Sequence, residues 1–310
     1  MAPTILVTGF TGGLGAGVFS TLQDLVPASS LAASSSRQHA ASLLEGKGVE
    51  FRRAAYDDFN SLLEAFHGIK KLFFVSTNTF DNDKRTIQHR NVIEAAKQAG
   101  VGHVYYSSLA FGGHTSTSQI AVQQAHLATE AMLASSGLRY TSVREGVYAE
   151  AFPVFLNWYP NTRELFLPAD GPVAYASRAE LGEATAKLML RDNHQFPDNI
   201  ALLTGPKAFT FADVVTAINR VSNRDVALHR VSSEEYVTKN AMGDEGGKPT
   251  TFFEAWKGLF EGVAKGEAET VDPLMEELLD RRPKDGVQVV EELLRKDHEY
   301  TWHQNYLNAK

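Results

Sequence analysis

Residues 4–15 read TILVTGFTGGLG, an apolar, β-prone run followed at once by a glycine-rich turn. Gly9, Gly12 and Gly15 have the spacing G-x-x-G-x-x-G, and a segment with helical periodicity follows them. Gly9 permits a tight turn, and Gly15 lets the helix pack closely on the strand. Gly12 lacks the Cβ that would keep a phosphate away from the backbone N–H groups at the start of the helix. The segment predicts a dinucleotide-binding turn, and a turn with a purely structural role is the alternative.

Short β-rich runs alternate with helix-period segments over the first 145 residues. The predicted strands are Thr4–Thr8, Ser30–Ser34, Val49–Ala54, Lys71–Ser76, His103–Ser107 and Arg139–Val143. Parallel strands need crossover helices, so this rhythm predicts an α/β fold in which a doubly wound parallel sheet has helices on both faces.

The alternation of β-rich runs and helix-period segments ends after Arg144, which predicts a second domain. We expect a Rossmann domain over residues 1–147 and a smaller, mainly α-helical C-terminal domain over 148–310. A helix at about 179–191 and a strand at Ile200–Thr204 are expected to rejoin the sheet, so that residues 178–206 return to the Rossmann domain. The proline- and aromatic-rich stretch 152–172 predicts loops and short helices, and Val226–Val231 predicts one further strand.

The composition of the 310-residue chain limits its function. A net charge of −7 argues against nucleic acid, because phosphate binding needs clustered Lys and Arg. The absence of Cys excludes thiolate chemistry, and no His pair has H-x-x-x-H spacing, so we expect no metal. We expect a cytoplasmic protein without a membrane span, because there is no signal-like start and no apolar run of about 18 residues. A monomer and a homodimer both remain open.

The segment Ser34-Ser35-Ser36-Arg37 lies where a Rossmann fold binds the ribose of the adenosine. An acidic residue there is typical of NAD, whereas this chain has hydroxyls and a guanidinium that suit a 2′-phosphate. The segment therefore favours NADPH as the cofactor. The alternative is that Arg37 only begins a solvated helix.

Several motifs resemble one group of proteins over nearly the whole chain. They are the glycine turn, Val26–Ser29, Gln88–Val92, Ala125–Glu130, Arg144–Tyr148 and Ala264–Ala268. Together they are similar to the NmrA-like family of atypical short-chain dehydrogenases, in the branch of triphenylmethane reductase and quinone oxidoreductase type 2. The resemblance implies NADPH and substrate in a cleft between a Rossmann domain and a smaller helical domain. Relatives usually carry Arg at the position of Ser36 and Asn at that of Glu145.

The loops after the fourth and fifth strands are expected to line the site, because ligands bind at the carboxyl ends of strands in open α/β sheets. The resemblance assigns these loops to the ribose and nicotinamide of the cofactor. Equally, Ser and Thr at strand ends often only cap a helix or close a turn. The residues expected to contact the cofactor are Gly9, Phe10, Thr11, Gly12, Gly13, Leu14, Gly15, Ser35, Ser36, Arg37, Ser76, Thr77, Asn78, Ser107, Ser108 and His126.

His126 and Tyr148 are the candidate catalytic residues. The helix that carries His126 is expected to begin near Ile120. By the resemblance it corresponds to the helix that bears the Tyr and Lys of ordinary short-chain dehydrogenases, and that pair is missing from it here. His126 is expected either to position the nicotinamide or to protonate the product; a polar pair with Glu130 is the alternative. The expected substrate contacts are Asn78, Phe111, Glu145, Tyr148 and Phe152.

Without the Tyr and Lys pair, the sequence favours acceptors whose reduced form is already stabilised. We therefore expect hydride transfer from NADPH to a small flat conjugated acceptor such as a quinone, or to a similar biosynthetic intermediate. The alternative is a redox sensor that binds NADP(H) without turnover.

Overall fold

The structure is a computed structural model that describes residues 2–79, 81–191 and 196–301. Its main feature is a sheet of seven parallel strands in the order β3-β2-β1-β4-β5-β6-β8. These strands are β1 (Ile5–Thr8), β2 (Leu31–Ser35), β3 (Glu50–Arg53), β4 (Lys71–Phe74), β5 (His103–Leu109), β6 (Tyr140–Glu145) and β8 (Ile200–Leu203). All six strands predicted before residue 145, and the later strand that rejoins them, are present in this sheet. The doubly wound parallel fold is therefore confirmed.

Two helical layers cover the sheet, and we call the sheet with these layers the Rossmann lobe. One layer consists of α2 (Phe59–Phe66), α3 (Asn82–Gln98) and α4 (Ala121–Ser136). The other consists of α1 (Gly13–Leu25), α6 (Arg178–Leu190) and α10 (Leu274–Leu279). Each layer packs on its own apolar core, one centred on Leu6 and Phe74 and the other on Val7 and Phe73. Among the described helices, none is long and apolar enough to cross a membrane.

The helices α1 and α6 cross at two glycines. A Cβ on Gly182 would lie 2.8 Å from backbone atoms of Gly17, which is closer than atoms can approach, and a Cβ on Gly17 would lie 3.4 Å from the Cα of Gly182. Only glycine at position 182 therefore allows this separation of the two backbones. One helical turn before these two glycines, the same crossing brings the start of α6 beside the start of α1.

The remaining elements form a second lobe around its own apolar core. They are α5 (Phe152–Leu156), β7 (Glu164–Leu167), α7 (Phe211–Ser222), β9 (Ala227–Arg230), α8 (Ser233–Met242), α9 (Thr250–Ala264) and α11 (Gly286–Lys296). The strand β9 was expected from the sequence, but its parallel partner β7 was not, because the prolines around it favoured loops. The sequence also gave no sign that α10 leaves this lobe to pack on α6 and β8.

A buried ion pair connects α4 to the end of β6. Arg144 binds both carboxylate oxygens of Glu130, at 3.0 and 2.6 Å, and donates to the carbonyls of Gly113 and His114. Ser108 donates to the same carboxylate at 2.6 Å. The Glu130 carboxylate thus holds the ends of β5 and β6 and the loop between β5 and α4 in one arrangement.

We expect Glu130→Ala to lower the free energy of unfolding by about 3 kcal/mol, because it leaves the Arg144 charge buried without its partner. Urea denaturation at pH 7 would measure this change. Glu254→Ala, which removes an exposed carboxylate paired with Lys257, is the control and should change stability by less than about 1 kcal/mol. Equal losses in the two variants would contradict the structural role of Glu130.

Candidate active site

The glycine turn has the geometry that an anion site needs. Gly9 has a φ of +63°, and its carbonyl accepts a hydrogen bond from the Gly12 N–H at 2.9 Å. A Cβ on Gly15 would lie 2.3 Å from the Gly9 oxygen, so the helix packs against the turn only with glycine there. A Cβ on Gly12 would contact only that oxygen, at 3.4 Å, so among the described residues nothing fills the space in front of it. This exposed space beside the N-terminus of α1 fits the pyrophosphate of a dinucleotide.

A cation that the sequence did not reveal, Arg178, lies at this turn. The guanidinium of Arg178, from the first turn of α6, lies 2.7–2.9 Å from the position that a Cβ on Gly13 would occupy. The same guanidinium lies 5.9 Å from the centre of the Tyr148 ring. The close crossing of α1 and α6 causes this placement, because Arg178 and Gly13 each precede a crossing glycine by four residues. No local pattern around residue 178 carries that information.

The predicted adenosine side of the site lies next to the turn. Ser36 and Arg37 are exposed, and the Arg37 guanidinium reaches Thr11 Oγ1 at 3.5 Å. Ser35 is buried, and its hydroxyl accepts the Arg37 backbone N–H at 3.2 Å. Of these three residues, Ser36 and Arg37 present side chains that a 2′-phosphate could reach.

The loop after β4 is held by its neighbours. Ser107 Oγ accepts the backbone N–H of Ser76 at 2.8 Å, and the Nε2 of His89 accepts that of Thr77 at 3.1 Å. Arg85 donates to Ser76 Oγ at 2.8 Å. The hydroxyls of Ser76, Ser107 and Ser108 therefore have partners within the protein. Asn78, in contrast, is exposed at the tip of this loop.

His126 lies in the site region but does not pair with Glu130. Its Nδ1 is 2.8 Å from the hydroxyl of Tyr106, a fully buried residue of β5. Burial, together with the nearby charges of Arg85 and Arg144, holds the pKa of His126 well below its usual range. His126 is thus a neutral imidazole at pH 7, which suits a fixed hydrogen-bond donor better than a proton donor.

Buried Glu145 and partly buried Tyr148 form a second pair. Side chains alternate along β6, so Glu145 projects to the face opposite Arg144. The Tyr148 hydroxyl donates to one Glu145 oxygen at 2.5 Å, and the other oxygen has no partner among the described residues. Burial raises the pKa of Glu145 to about 8 and that of Tyr148 well above its usual value. Both groups are therefore mostly uncharged at neutral pH.

The two predicted aromatic substrate contacts, Phe111 and Phe152, lie in the core of the second lobe and are 2% and 1% exposed. Phe152 packs against Trp158 and Tyr300. Tyr148 is only partly buried and remains accessible beside Arg178.

The Tyr and Lys spacing of ordinary short-chain dehydrogenases occurs in this chain at Tyr306 and Lys310, which lie outside the described residues. The helix that would bear the pair in the family pattern, α4, carries His126 instead.

The fold and the glycine turn together define a Rossmann-type dinucleotide-binding protein. The chain belongs to the NmrA-like family, whose model matches residues 1–279. The resemblance stated from the sequence is therefore confirmed.

Relatives of the chain include named oxidoreductases. The NmrA-like family domain-containing oxidoreductase flvB of Aspergillus flavus is 46% identical over 303 residues, which cover 97% of this chain and 98% of that protein. Quinone oxidoreductase 2 of Escherichia coli is 34% identical over 236 residues, or 75% of this chain and 79% of that protein. This protein is accordingly an NAD(P)H-dependent oxidoreductase.

Solved structures agree with this assignment. The NADPH complex of the Escherichia coli NADPH-dependent quinone oxidoreductase has a TM-score of 0.82 at 29% identity and covers 94% of this chain and 100% of its own. The NADP(H) complex of Citrobacter sp. triphenylmethane reductase has a TM-score of 0.81 at 30% identity, with 94% and 99% covered.

We expect Gly12→Val to weaken dinucleotide binding at least a hundredfold while the protein stays folded, because the branched side chain fills the space in front of the turn. Fluorescence titration would give the affinity, and circular dichroism would confirm the fold. Gly258→Ala is the control, since a Cβ there meets nothing within 4 Å and the residue lies inside α9, outside the turn. Unchanged affinity in a folded Gly12→Val protein would mean that the turn is only structural.

We expect Glu145→Gln to change how stability depends on pH. A carboxyl whose pKa is raised on folding stabilises the native state below its unfolded pKa, and that contribution is lost between about pH 4.5 and 8. The melting temperature of the wild type should therefore fall relative to Glu145→Gln as the pH rises through this window. A constant difference from pH 5 to pH 8.5 would show that Glu145 ionises normally.

Proposed function

We propose that the protein transfers hydride from NADPH to a quinone or a similar flat conjugated acceptor. The chain combines a dinucleotide-binding turn with a neutral histidine, His126, on α4. In ordinary short-chain dehydrogenases this helix carries the catalytic Tyr and Lys, and the difference is the observation that carries the proposal. A site of this kind lacks the usual acid for carbonyl reduction, so it suits acceptors that delocalise the added electron pair. An acceptor that arises as an intermediate in biosynthesis falls within the same class.

NADPH, rather than NADH, is supported by the residues beside the turn. Ser36 offers a hydroxyl and Arg37 a guanidinium, and Thr11 lies within reach of that guanidinium. Arg178 adds a positive charge at Gly13, where the pyrophosphate of a cofactor on this turn would lie. The Escherichia coli and Citrobacter proteins with the same fold bind NADPH and NADP(H) in their crystal structures.

The residues around the acceptor mainly position it and limit unfavourable charge. When bound, NADPH supplies the hydride, and one proton from water completes the two-electron reduction of the acceptor. His126 is held by its hydrogen bond with Tyr106, and with the Tyr106 hydroxyl as the donor to Nδ1 the imidazole would carry its proton on Nε2 and offer it in a constant direction. Glu145 stays protonated near pH 7, so it adds no negative charge to the site.

We expect NADPH to bind at least tenfold more tightly than NADH, and Arg37→Ala to narrow that ratio, because the guanidinium pairs with the 2′-phosphate. Titration of both cofactors into both proteins would give the four dissociation constants. Arg230→Ala removes an exposed arginine of β9 in the second lobe and should leave the ratio unchanged. Equal dissociation constants for the two cofactors in the wild type would contradict the assignment.

Stopped-flow mixing of NADPH-loaded protein with quinones, cationic triarylmethane dyes, enones and imines tests the reaction itself. We expect acceptor-dependent loss of NADPH absorbance, fastest with quinones, and at least a tenfold slower rate in His126→Ala. The rate should show no inflection near pH 6.5, since His126 is neutral on both sides of it. No NADPH loss with any acceptor would favour a sensor that binds NADP(H) without turnover.

A further inference from the structure

A cavity of about 240 Å³ lies between the start of α3, the start of α4 and one face of α9. Its wall is largely apolar and is formed by Ile120, Val122, Phe252, Trp256 and Leu259. The rings of Phe252 and Trp256 in this wall are stacked, with their centroids 4.8 Å apart and their planes inclined by 23°. An apolar cavity of about 150 Å³ holds a benzene ring, so this one has room for one or two fused rings.

One cation, Arg85, lines the same cavity. The residue is 6% exposed and donates to Ser76 Oγ at 2.8 Å and to the Thr79 carbonyl at 2.5 Å. A guanidinium has five N–H groups, and the Nε of Arg85 has no hydrogen-bond partner among the described residues. Nor does any described carboxylate form an ion pair with it within 4.0 Å. A buried charge without a counter-charge is costly, and an anion from outside the protein would remove that cost.

The cavity adjoins the proposed site of hydride transfer. Arg85 is hydrogen-bonded to Ser76 and Thr79, in the loop expected to meet the nicotinamide. Its charge also acts on both His126 and Tyr106. A ring in this cavity would therefore lie on the α3 and α4 side of that loop, while Arg178 and the glycine turn lie on the α1 side.

We propose that this cavity binds the acceptor and that Arg85 selects flat aromatic acceptors bearing an anionic group, a carboxylate or an ionised hydroxyl. The selection of acceptors rests on the proposed function, whereas the binding of such an anion does not. Phe252 and Trp256 supply the surface on which the ring stacks, and Arg85 supplies the charge-assisted hydrogen bonds. The acceptor, NADPH and one proton give the reduced acceptor and NADP⁺, and a carboxylate on the ring keeps its charge throughout. An ionised hydroxyl on a quinone becomes an ordinary phenol on reduction and takes up a second proton.

Binding and turnover can be tested with matched pairs of ligands. Calorimetry would compare 2-naphthoate with 2-naphthamide, which share a ring system but differ in charge. Stopped-flow mixing would compare 2-hydroxy-1,4-naphthoquinone, which is ionised at neutral pH, with its 2-methoxy analogue. Both comparisons would use the wild type, Arg85→Gln, Arg85→Lys and Ala255→Trp, a variant that narrows the mouth of the cavity at an exposed wall position.

We expect the wild type to bind the naphthoate about tenfold more tightly than the amide, as a charge-assisted hydrogen bond predicts. Arg85→Gln should abolish this ratio and Arg85→Lys should retain part of it, while Ala255→Trp should weaken both ligands alike. The ratio of kcat/KM between the anionic quinone and its methoxy analogue should fall about tenfold from the wild type to Arg85→Gln, a comparison in which the intrinsic reactivities of the two quinones cancel.

Equal binding of naphthoate and amide by the wild type would overturn the proposal. So would an Arg85→Gln protein that loses NADPH affinity and keeps the naphthoate preference, because Arg85 would then serve the cofactor. Selective binding of the naphthoate without reduction of either quinone would contradict the proposed function and uphold the anion site.

Discussion

The cofactor site depends on close contacts between backbones, which are possible only where a glycine has no Cβ in the way. The Gly9 oxygen leaves no room for a Cβ on Gly15, and the Gly17 backbone leaves none for a Cβ on Gly182. The first contact presses α1 against the end of β1, and the second presses α6 against α1. As a result the starts of two helices and the Arg178 side chain converge in front of one turn. Positive potential from the end of α1 and from a guanidinium therefore adds up where phosphates would lie.

Local patterns were sufficient to predict the parallel sheet of the Rossmann lobe. Its strands have clear β-rich runs, and the turn at Gly9 follows a strand and opens a helix, so position and chemistry agree. The strand β7 was missed because the prolines near it outweighed a short β-prone run, and only its pairing with β9 makes it a strand. Such a pairing joins distant residues, and no local signal records it.

The site was predicted less completely, for a related reason. The turn and Arg37 are adjacent in space because β1 and β2 pair, which the sequence implies. Arg178 and Arg85 depend on how helices from different parts of the chain pack, so their placement could not be inferred. The sequence also suggested that His126 pairs with Glu130 on one helix face, yet each has a partner on the sheet instead, Tyr106 and Arg144. The spacing of residues along a helix predicts which side chains share a face, but it does not predict which strand of the sheet that face contacts.

Four ionisable side chains near the site lie inside the protein, and their charges are compensated in different ways. Glu130 and Arg144 neutralise each other, and Glu145 is neutral because it retains its proton. Arg85 has only neutral partners among the described residues. The interior of a protein stabilises charges poorly. The mutually neutralised pair Glu130 and Arg144 is therefore structural, whereas Glu145 and Arg85 are able to interact with a ligand.

The position of α10 has a consequence for the order in which the chain becomes structured during synthesis. Met275, Leu278 and Leu279 belong to the core that also contains β1 and α1. A ribosome releases residues 1–147 long before these three, so the core on that face of the sheet stays incomplete until most of the second lobe has also emerged. The amino-terminal half is therefore not an independent folding unit, and a fragment that ends near residue 147 would expose the apolar face that α6 and α10 cover.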